Sequence, residues 1–320
     1  MKQTTKRAGG IALLLAGITA VSVGITAITG NVGRKTDDLR VVTTVYPLYV
    51  AVQNIAGELP GVTVENLTGA ATGCLHDYQL SPANRISLEQ ASLVLLNGAG
   101  AETFLADVLP QLRAQIVDTS EGIPLLAGEE HEQEEDHDHE HEHDHSTNEH
   151  IWTSPSRYAK QVKAVMAALA AADPAHAEVY AANGRSYLDK IAAAEQRLQA
   201  AAAALNGRSC ILFHDSLVYL AEDLGLQVAA VLTVGEESGV PAGDLAAAER
   251  LAAADPTMLI LYDSQYAVRY NSVDRQVPAA QVLALDTGVK GNGRPDDWLT
   301  AMASTAERLE CVGRASDGKP

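Results

Sequence analysis

Three histidines stand apart in this sequence because each lies where a loop joins folded chain. His76 comes after a β-branched segment at 62–64, His214 directly follows an apolar run ending at Phe213, and His150 lies where an acidic stretch meets an apolar one. Imidazoles from distant segments suit borderline-soft divalent metals, zinc above all. The three together predict one shared metal site, whereas for each histidine alone a capping or buried structural role is the better explanation.

A fourth ligand should be a carboxylate or a water molecule. Asp263 is our candidate because it follows a predicted strand at 258–262, the same kind of position that His214 occupies. The alternatives are that Asp263 caps the next segment, or that Asp286, after the last predicted strand, binds the metal instead. Asp77 and Asp215 adjoin ligand candidates, and we expect them to cap or to accept the second ring N–H of a ligand imidazole.

A stretch at 129–149 contains 11 Asp and Glu residues, no Lys or Arg and no apolar side chain. Such a segment cannot bury anything, so it predicts a disordered surface loop. We expect this loop to gather zinc weakly for the main site; a solvated acidic linker is the alternative. Its six histidines are His131, His137, His139, His141, His143 and His145.

The elements that must position these side chains alternate between strand and helix. Strands are predicted at 40–45, 62–64 and 92–96, and again at 210–213, 227–232, 258–262 and 281–285. We also predict helices between them, including one at 102–112. This order predicts an α/β protein with two pseudo-symmetric lobes, each a mostly parallel sheet with covering helices. Loops at the carboxyl ends of such strands line a crevice, which is where His76 and His214 are expected to lie, one in each lobe.

A single long helix is predicted between the two lobes, at 174–206. Its apolar stripe would bury one face, and at 1.5 Å per residue it would extend about 50 Å. We therefore expect a rigid spine that joins the lobes, with Gly184 as its weak point. The stripe consists of Tyr180, Tyr187, Ile191, Ala194, Leu198 and Leu205.

The chain divides into four predicted parts. Residues 1–35 start with three basic side chains and continue with an uncharged run from 8 to 33, which predicts either an export signal or an uncleaved N-terminal membrane anchor. The remaining parts are an N-terminal lobe at 36–155, a helical linker at 156–207 and a C-terminal lobe at 208–320. Either reading of the N-terminus places the rest of the chain outside the cytoplasmic membrane.

Composition excludes several classes of function. The formal net charge of −18 argues against a nucleic-acid partner, because phosphate recognition needs a basic surface. Three cysteines are too few for a disulfide scaffold, although Cys210 and Cys311 could pair outside the cell. The His-Glu-x-x-His pattern occurs only inside the acidic stretch at 129–149, which predicts a disordered loop and not the helix that a zinc hydrolase of this type needs, and this argues against a zinc hydrolase.

These motifs resemble those of the zinc- and manganese-binding solute-binding proteins of ABC transporters, the cluster A-I class. A His- and acid-rich loop before the second ligand is typical of the zinc branch, and His214 stands where the manganese branch usually has Glu. The resemblance therefore favours Zn²⁺ over Mn²⁺. The matching motifs are His76-Asp77-Tyr78, His150-Ile151-Trp152, Phe213-His214-Asp215 and Asp263-Ser264.

The resemblance implies a monomeric, non-enzymatic protein that captures Zn²⁺ between two lobes and delivers it to a membrane permease. It would be exported to the periplasm or the cell surface, with or without a tether formed by the N-terminal helix. The alternatives that stay open are an extracytoplasmic metal buffer or adhesin, a manganese-binding member of the same family, and a zinc hydrolase. The same family fold, two α/β lobes joined by one rigid helix, matches the organisation predicted above.

Overall fold

Two parallel four-stranded sheets organise the computed structural model, which describes residues 38–70, 75, 78–128, 147–232, 240–267, 273, 277 and 280–316. The first sheet has the strand order β2-β1-β3-β4, and the second has the order β6-β5-β7-β8. Because the two orders are equivalent, the predicted pair of pseudo-symmetric lobes is confirmed. The strands are β1 Leu39–Thr43, β2 Val62–Asn66, β3 Leu93–Leu96, β4 Gln115–Asp118, β5 Ser209–Leu212, β6 Gln227–Val231, β7 Leu259–Asp263 and β8 Gln281–Leu285.

Helices cover both sheets, and several begin at residues that the sequence marks as helix starts. Ser81 caps one helix by accepting the Asn84 N–H, and Ser154 caps another by accepting the Arg157 N–H. A proline follows each cap, where its fixed φ angle suits the first turn. The helices with printed bounds are α1 Tyr46–Ala56, α2 Pro82–Gln90, α3 Pro155–Ala172, α4 Ala177–Ala202, α5 Val218–Asp223, α6 Ala242–Ala254 and α7 Asp297–Ser316.

The first lobe departs from expectation after β3. The predicted helix at 102–112 is wrong: two short 3-10 turns, Thr103–Leu105 and Leu109–Gln111, take its place. They lead into β4 at Gln115–Asp118, a strand that we did not predict. Pro110 lies inside the second turn, and a proline there interrupts the hydrogen bonding of a continuous α-helix.

The predicted spine is confirmed. Helix α4, with a 3-10 turn at each end, runs continuously from 174 to 205, which is about 48 Å at 1.5 Å per residue. Tyr180, Tyr187 and Ile191 on its apolar stripe are buried, and the helix packs against α1, α3 and α7. Residues 39–320 form one compact unit, so the lobes share a core along this helix.

A small hydrogen-bonded cluster fixes the junction between α3 and α4. Asp173 Oδ2 lies 2.6 Å from His176 Nδ1 and accepts the Tyr180 hydroxyl at 2.8 Å. Desolvation acts to raise the pKa of Asp173, but these two hydrogen bonds outweigh it and lower the pKa below its usual value. His176 is thereby assigned a structural role at the start of the spine.

Gly184 is a packing site and not the weak point we expected in the spine. It is buried against α3, where a Cβ atom at this position would lie 2.4 Å from Met166 Sδ. The absence of a side chain therefore lets α3 and α4 approach closely, and this offsets the roughly 1 kcal/mol of helix propensity that glycine costs relative to alanine.

We expect Gly184→Ala to lower the free energy of unfolding, because overpacking costs about 1–3 kcal/mol and exceeds the propensity gain. In a Met166→Ala background the same substitution should instead stabilise the protein by up to about 1 kcal/mol. Urea unfolding of the four proteins in this double-mutant cycle measures both effects. An equal effect in the two backgrounds would show that Met166 does not set the cost.

The predicted surface loop at 129–149 is shorter at its C-terminal end than expected, because folded chain begins again at Thr147. Thr147 forms an antiparallel bridge with Ala127, and the Asn148 N–H donates to the Leu126 carbonyl at 3.0 Å. Asn148 and Glu149 are buried. The last three residues of the predicted loop thus belong to the folded body, because their polar groups find partners there; residues 129–146 lie outside the described ranges.

Cys210 and Cys311, which could have paired as a disulfide, are both free thiols in the structure. Cys210 lies on β5 in the buried core, where desolvation raises the pKa of its thiol to about 12. Cys311 is exposed on α7.

Within the described ranges, no helix is both long enough and apolar enough to cross a bilayer.

Candidate metal centre

Two of the predicted ligands, one from each lobe, meet in the structure. His150 lies just before the 3-10 turn Ile151–Thr153, and His214 lies two residues after the end of β5. Their ring centroids are 5.3 Å apart and the rings are nearly perpendicular, at 88°. The two histidines come from positions 64 residues apart in sequence, so only the tertiary structure brings them together.

Asp215 completes a group that could hold a metal ion. One ligand atom from each of His150, His214 and Asp215 lies within 4.8 Å of the others. All three residues are buried, with exposed fractions of 0, 6 and 8 %. Two imidazoles and a carboxylate match the ligand set of zinc sites in proteins.

The Asp215 carboxylate faces the Nδ1 atoms of both rings. Its Oδ1 lies 3.0 Å from His214 Nδ1 and 3.6 Å from His150 Nδ1. A carboxylate in that position can accept the ring N–H of His214 and leave its Nε2 to bind metal, whereas the distance to His150 is too long for a hydrogen bond. This geometry is compatible with the orienting role that we expected for Asp215, and also with direct ligation through the same oxygen.

Aromatic side chains surround the two imidazoles. Trp152 lies beside His150, with ring centroids 5.3 Å apart, and Tyr266 stacks on His214 at 5.3 Å with an interplanar angle of 25°. Both aromatic residues are buried. An apolar surround lowers the local dielectric constant and so strengthens the interaction of the site with a cation.

Asp263 occupies the end of β7, as predicted, but its carboxylate is engaged with its own lobe. Oδ1 accepts the Gln265 N–H at 3.0 Å, and Oδ2 accepts Gln265 Nε2 and the Thr287 hydroxyl, each at 2.7 Å. Asp263 lies outside the group formed by the histidines and Asp215. Its turn nevertheless adjoins that group, because Tyr266, three residues later, stacks on His214.

Asp286, the second carboxylate candidate, also lies outside the group of candidate ligands. Its Oδ1 accepts the Gly288 N–H at 2.9 Å. Desolvation raises the pKa of Asp286, although the Gly288 hydrogen bond opposes the shift. This arrangement shows a capping function for Asp286 at the end of β8.

Other predicted ligands lie outside the described residues. These are His76 and the six loop histidines His131, His137, His139, His141, His143 and His145. His76 follows β2 in sequence, and β2 is hydrogen-bonded to β1 in the first sheet. Its part in the metal centre stays a prediction.

A buried polar network in the first lobe supports the segment that carries His150. Asn97, which follows β3, donates from Nδ2 to the Glu149 carbonyl at 2.8 Å and accepts Gln161 Nε2 at 3.1 Å. Its backbone N–H donates to Glu102 Oε1 at 2.7 Å. Burial raises the pKa of Glu102 to about 7, although hydrogen bonds from Thr44 and from backbone N–H groups favour the carboxylate.

Gly98 permits this network because it adopts φ of 80°, and a Cβ atom there would overlap the side chains of Asp118 and Ser120. Any larger residue would displace the loop after β3. The Asn97-Gly98 pair, which follows β3, thus supports the segment that carries His150.

Contacts between the lobes also connect the start of α3 with helix α5 and the residues at its end. Arg157 at the start of α3 pairs with Glu222 at 2.6 Å and with Asp223 at 3.4 Å, and Ser154 donates to Asp223 at 2.5 Å. The Arg157 guanidinium also lies 4.7 Å from the centre of the Tyr219 ring. Helix α5, which follows His214, is therefore fastened to the helix that follows His150.

Sequence reasoning missed Asn148, Tyr219 and Glu102. Asn148 stands two residues before a candidate ligand, which is the only sequence signal for it. Tyr219 and Glu102 carry no such signal, because their partners lie 71 and 58 residues away in the chain. Their positions follow from the packing of one lobe on the other and of one strand beside the next.

Known proteins resemble this chain over most of its length. It is 30% identical over 226 residues to the high-affinity zinc uptake system protein ZnuA of Bacillus subtilis, covering 70% of each chain. It is 33% identical over 239 residues to the protein of that name from Paracoccus denitrificans, covering 65% of this chain and 71% of that one.

The structure also resembles a solved one. A crystal structure of ZnuA superimposes with a TM-score of 0.70 over 87% of this chain and 100% of the other, at 23% identity, which supports the fold. The family model described as zinc-uptake complex component A, periplasmic (ZnuA), matches residues 41–311. The two-lobed fold, the histidines that meet between the lobes and this match agree, and the chain belongs to the ZnuA family.

Proposed function

We propose that this protein is the extracytoplasmic zinc-binding component of an ABC importer. It captures Zn²⁺ between its lobes and delivers the ion to a membrane permease. The observation that carries the proposal is the meeting of His150 and His214, one from each lobe, in a buried group with Asp215. Membership of a family described as a periplasmic zinc-uptake component supports it.

The full ligand set in this proposal is His76, His150, His214 and a carboxylate. His76 follows β2 in sequence, and β2 lies in the same sheet as β3, whose following loop supports the His150 segment. Asp263 provides the carboxylate if its turn releases Gln265 and Thr287, and Asp215 provides it if that turn stays as it is. Imidazole-rich sites of this kind favour zinc, whereas manganese favours oxygen ligands.

Binding, and not catalysis, is the activity that the site supports. The described candidate ligands His150, His214, Asp215 and Asp263 are buried. The His150 ring also lies between the rings of Trp152 and His214, each at 5.3 Å. A closed site of four protein ligands holds an ion without an open position for an activated water molecule. Delivery then requires the lobes or their loops to separate, and the continuous spine helix α4 limits this movement to small displacements.

Export is the other requirement of this function. We propose that residues 1–35 direct the chain across the cytoplasmic membrane, as a cleaved signal or as a retained anchor. The protein acts as a monomer whose partner is the permease subunit. N-terminal sequencing of the exported protein distinguishes the two forms of the leader.

Zinc titration of the purified protein tests the function together with the proposed role of the acidic loop. We expect one tightly bound zinc ion per chain and further, weaker ions. Excision of residues 130–145 should leave the tight site nearly intact and remove the weaker ones. The excision keeps the bridge between Ala127 and Thr147, so the fold at the base of the loop is preserved.

Each part of this experiment can fail separately. Absence of a tight zinc site in the full-length protein would refute the importer function, and tighter binding of Mn²⁺ than of Zn²⁺ would reassign the metal. An unchanged number of zinc ions after excision would refute the gathering role of the loop. Inductively coupled plasma mass spectrometry and competition with a chelating dye provide the stoichiometry and the affinity.

A further inference from the structure

Asn148 contacts His150 in a way that selects one form of its imidazole. Asn148 Oδ1 accepts the His150 backbone N–H at 2.9 Å and lies 3.1 Å from His150 Nδ1. Since an amide oxygen can only accept, this pair is a hydrogen bond only when Nδ1 carries the proton. The neutral ring then has its lone pair on Nε2, where a metal would bind.

The orientation of the Asn148 amide is fixed by two backbone groups. The His150 N–H can only donate, so the atom facing it must be the amide oxygen. The Asp215 carbonyl can only accept, so the atom 2.9 Å from it must be the amide nitrogen, Nδ2. The amide therefore cannot be reversed, and the tautomer of His150 follows from the backbone.

The contacts of His214 with its own turn differ from this arrangement. Its Nδ1 lies 3.0 Å from the Ser216 backbone nitrogen, which donates, and 3.0 Å from Asp215 Oδ1, which accepts. These two contacts favour opposite tautomers, whereas the contact of Asn148 with His150 favours one.

The same residue joins the two lobes. Asn148 Nδ2 donates to the carbonyl of Asp215, the residue after His214, and the Asn148 carbonyl accepts the Tyr219 hydroxyl at 2.8 Å. The Tyr219 hydroxyl in turn accepts the Leu126 N–H at 3.0 Å. Asn148 and Tyr219 are fully buried, so water does not compete for these bonds. The segment carrying His150 is thus held in register with the turn carrying His214.

We propose that Asn148 is a positioning residue of the zinc site, which fixes the tautomer of His150 and sets its distance from His214 before the ion arrives. This inference rests on the proposed function, because it requires His150 to be a zinc ligand. Preorganisation of this kind raises affinity, since the ordering of the ligands does not have to occur on binding. Partners that orient a ligand imidazole typically contribute 10–100-fold to metal affinity.

The first test needs no substitution. Long-range ¹H–¹⁵N correlation spectra of the histidine rings report the tautomer of each imidazole in zinc-free protein at alkaline pH, and the spectrum of His150→Ala assigns the His150 signal. We expect a single Nδ1–H tautomer for His150. A mixture of tautomers, or the Nε2–H form, would overturn the proposal.

The second test compares zinc affinities. Asn148→Ala should bind one zinc ion about 10–100-fold more weakly and should show mixed tautomers of His150. Tyr219→Phe removes one hydroxyl and leaves the Asn148 side chain in place, so it should keep the Nδ1–H tautomer and weaken binding less. Asn183→Ala is the matched control, because it removes an amide bond of Asn183 to the Ile55 carbonyl away from the site.

The outcomes separate this proposal from the proposed function. If His150→Ala binds zinc as tightly as the unmodified protein, His150 is not a ligand and the importer site itself is wrong. If His150→Ala loses affinity while Asn148→Ala stays within twofold of the unmodified protein, only the positioning role is wrong. If Asn148→Ala does not fold, the tautomer of the unmodified protein and the affinity of Tyr219→Phe still decide the question.

Discussion

Replacing His150 by alanine should lower the zinc affinity of the tight site by a factor of about 10²–10³. Structural zinc sites in peptides bind with about 10–16 kcal/mol, which four ligands share, so the loss of one costs about 3–4 kcal/mol. His214→Ala should have an effect of the same size, because the two imidazoles occupy equivalent places in the same buried group. Competition titration with a chromophoric chelator measures both.

His176→Ala is the matched control for these two variants. His176 is a described histidine at the start of the spine, bonded to Asp173 at 2.6 Å, and is not part of the metal group. Its removal should leave zinc affinity unchanged. If both cleft variants keep affinities within twofold of that control, the two histidines meet for a structural reason and the metal centre lies elsewhere.

Trp298→Ala should destabilise the zinc-free protein by about 3–5 kcal/mol, the range for removal of a buried aromatic side chain. Trp298 is fully buried at the start of α7, and its ring centroid lies 4.4 Å from that of Tyr158 on α3. Its Nε1 donates to the Trp152 carbonyl at 3.1 Å, two residues after His150. One side chain therefore packs the last helix against the helix that follows the metal site.

Urea unfolding in the presence of a chelator measures this effect without the contribution of bound zinc, which would add stability to the folded state. Trp298→Phe should lose less, because it keeps most of the ring contact and removes mainly the hydrogen bond. Ile86→Ala is the control, since Ile86 is 55% exposed and its truncation should change stability by no more than about 0.5 kcal/mol. A loss below 1 kcal/mol for Trp298→Ala would contradict this account of the core.

Several elements could be predicted from local patterns. The spine was predicted at 174–206 from a single apolar stripe, and the structure has it at 174–205, because a periodicity of 3.6 residues depends only on which side chains are apolar. Ser81 and Pro82 are residue types typical of a helix start, and a helix begins there in the structure. In the region of 102–112, Pro110 interrupts the predicted helix, and β4 exists because it pairs with β3.

Gly184 and the cysteine pair illustrate what local reasoning misses. Gly184 has a low helix propensity, but its effect depends on Met166, which approaches from another helix. Cys210 and Cys311 have the residue types that a disulfide needs, but one lies in the core on a strand and the other on the exposed side of a helix. Neither fact is encoded in the neighbouring residues.

The sequence by itself determined the two α/β lobes, the spine between them and the choice of candidate histidines, because these follow from local periodicity and residue chemistry. Only the tertiary structure decided that His150 and His214 meet, that Asp215 is beside them while Asp263 faces Gln265 and Thr287, and that Asn148 fixes one ring. The physical reason is that ligand distances and tautomers depend on the packing of one lobe against the other, with contacts between residues up to 93 positions apart at this site.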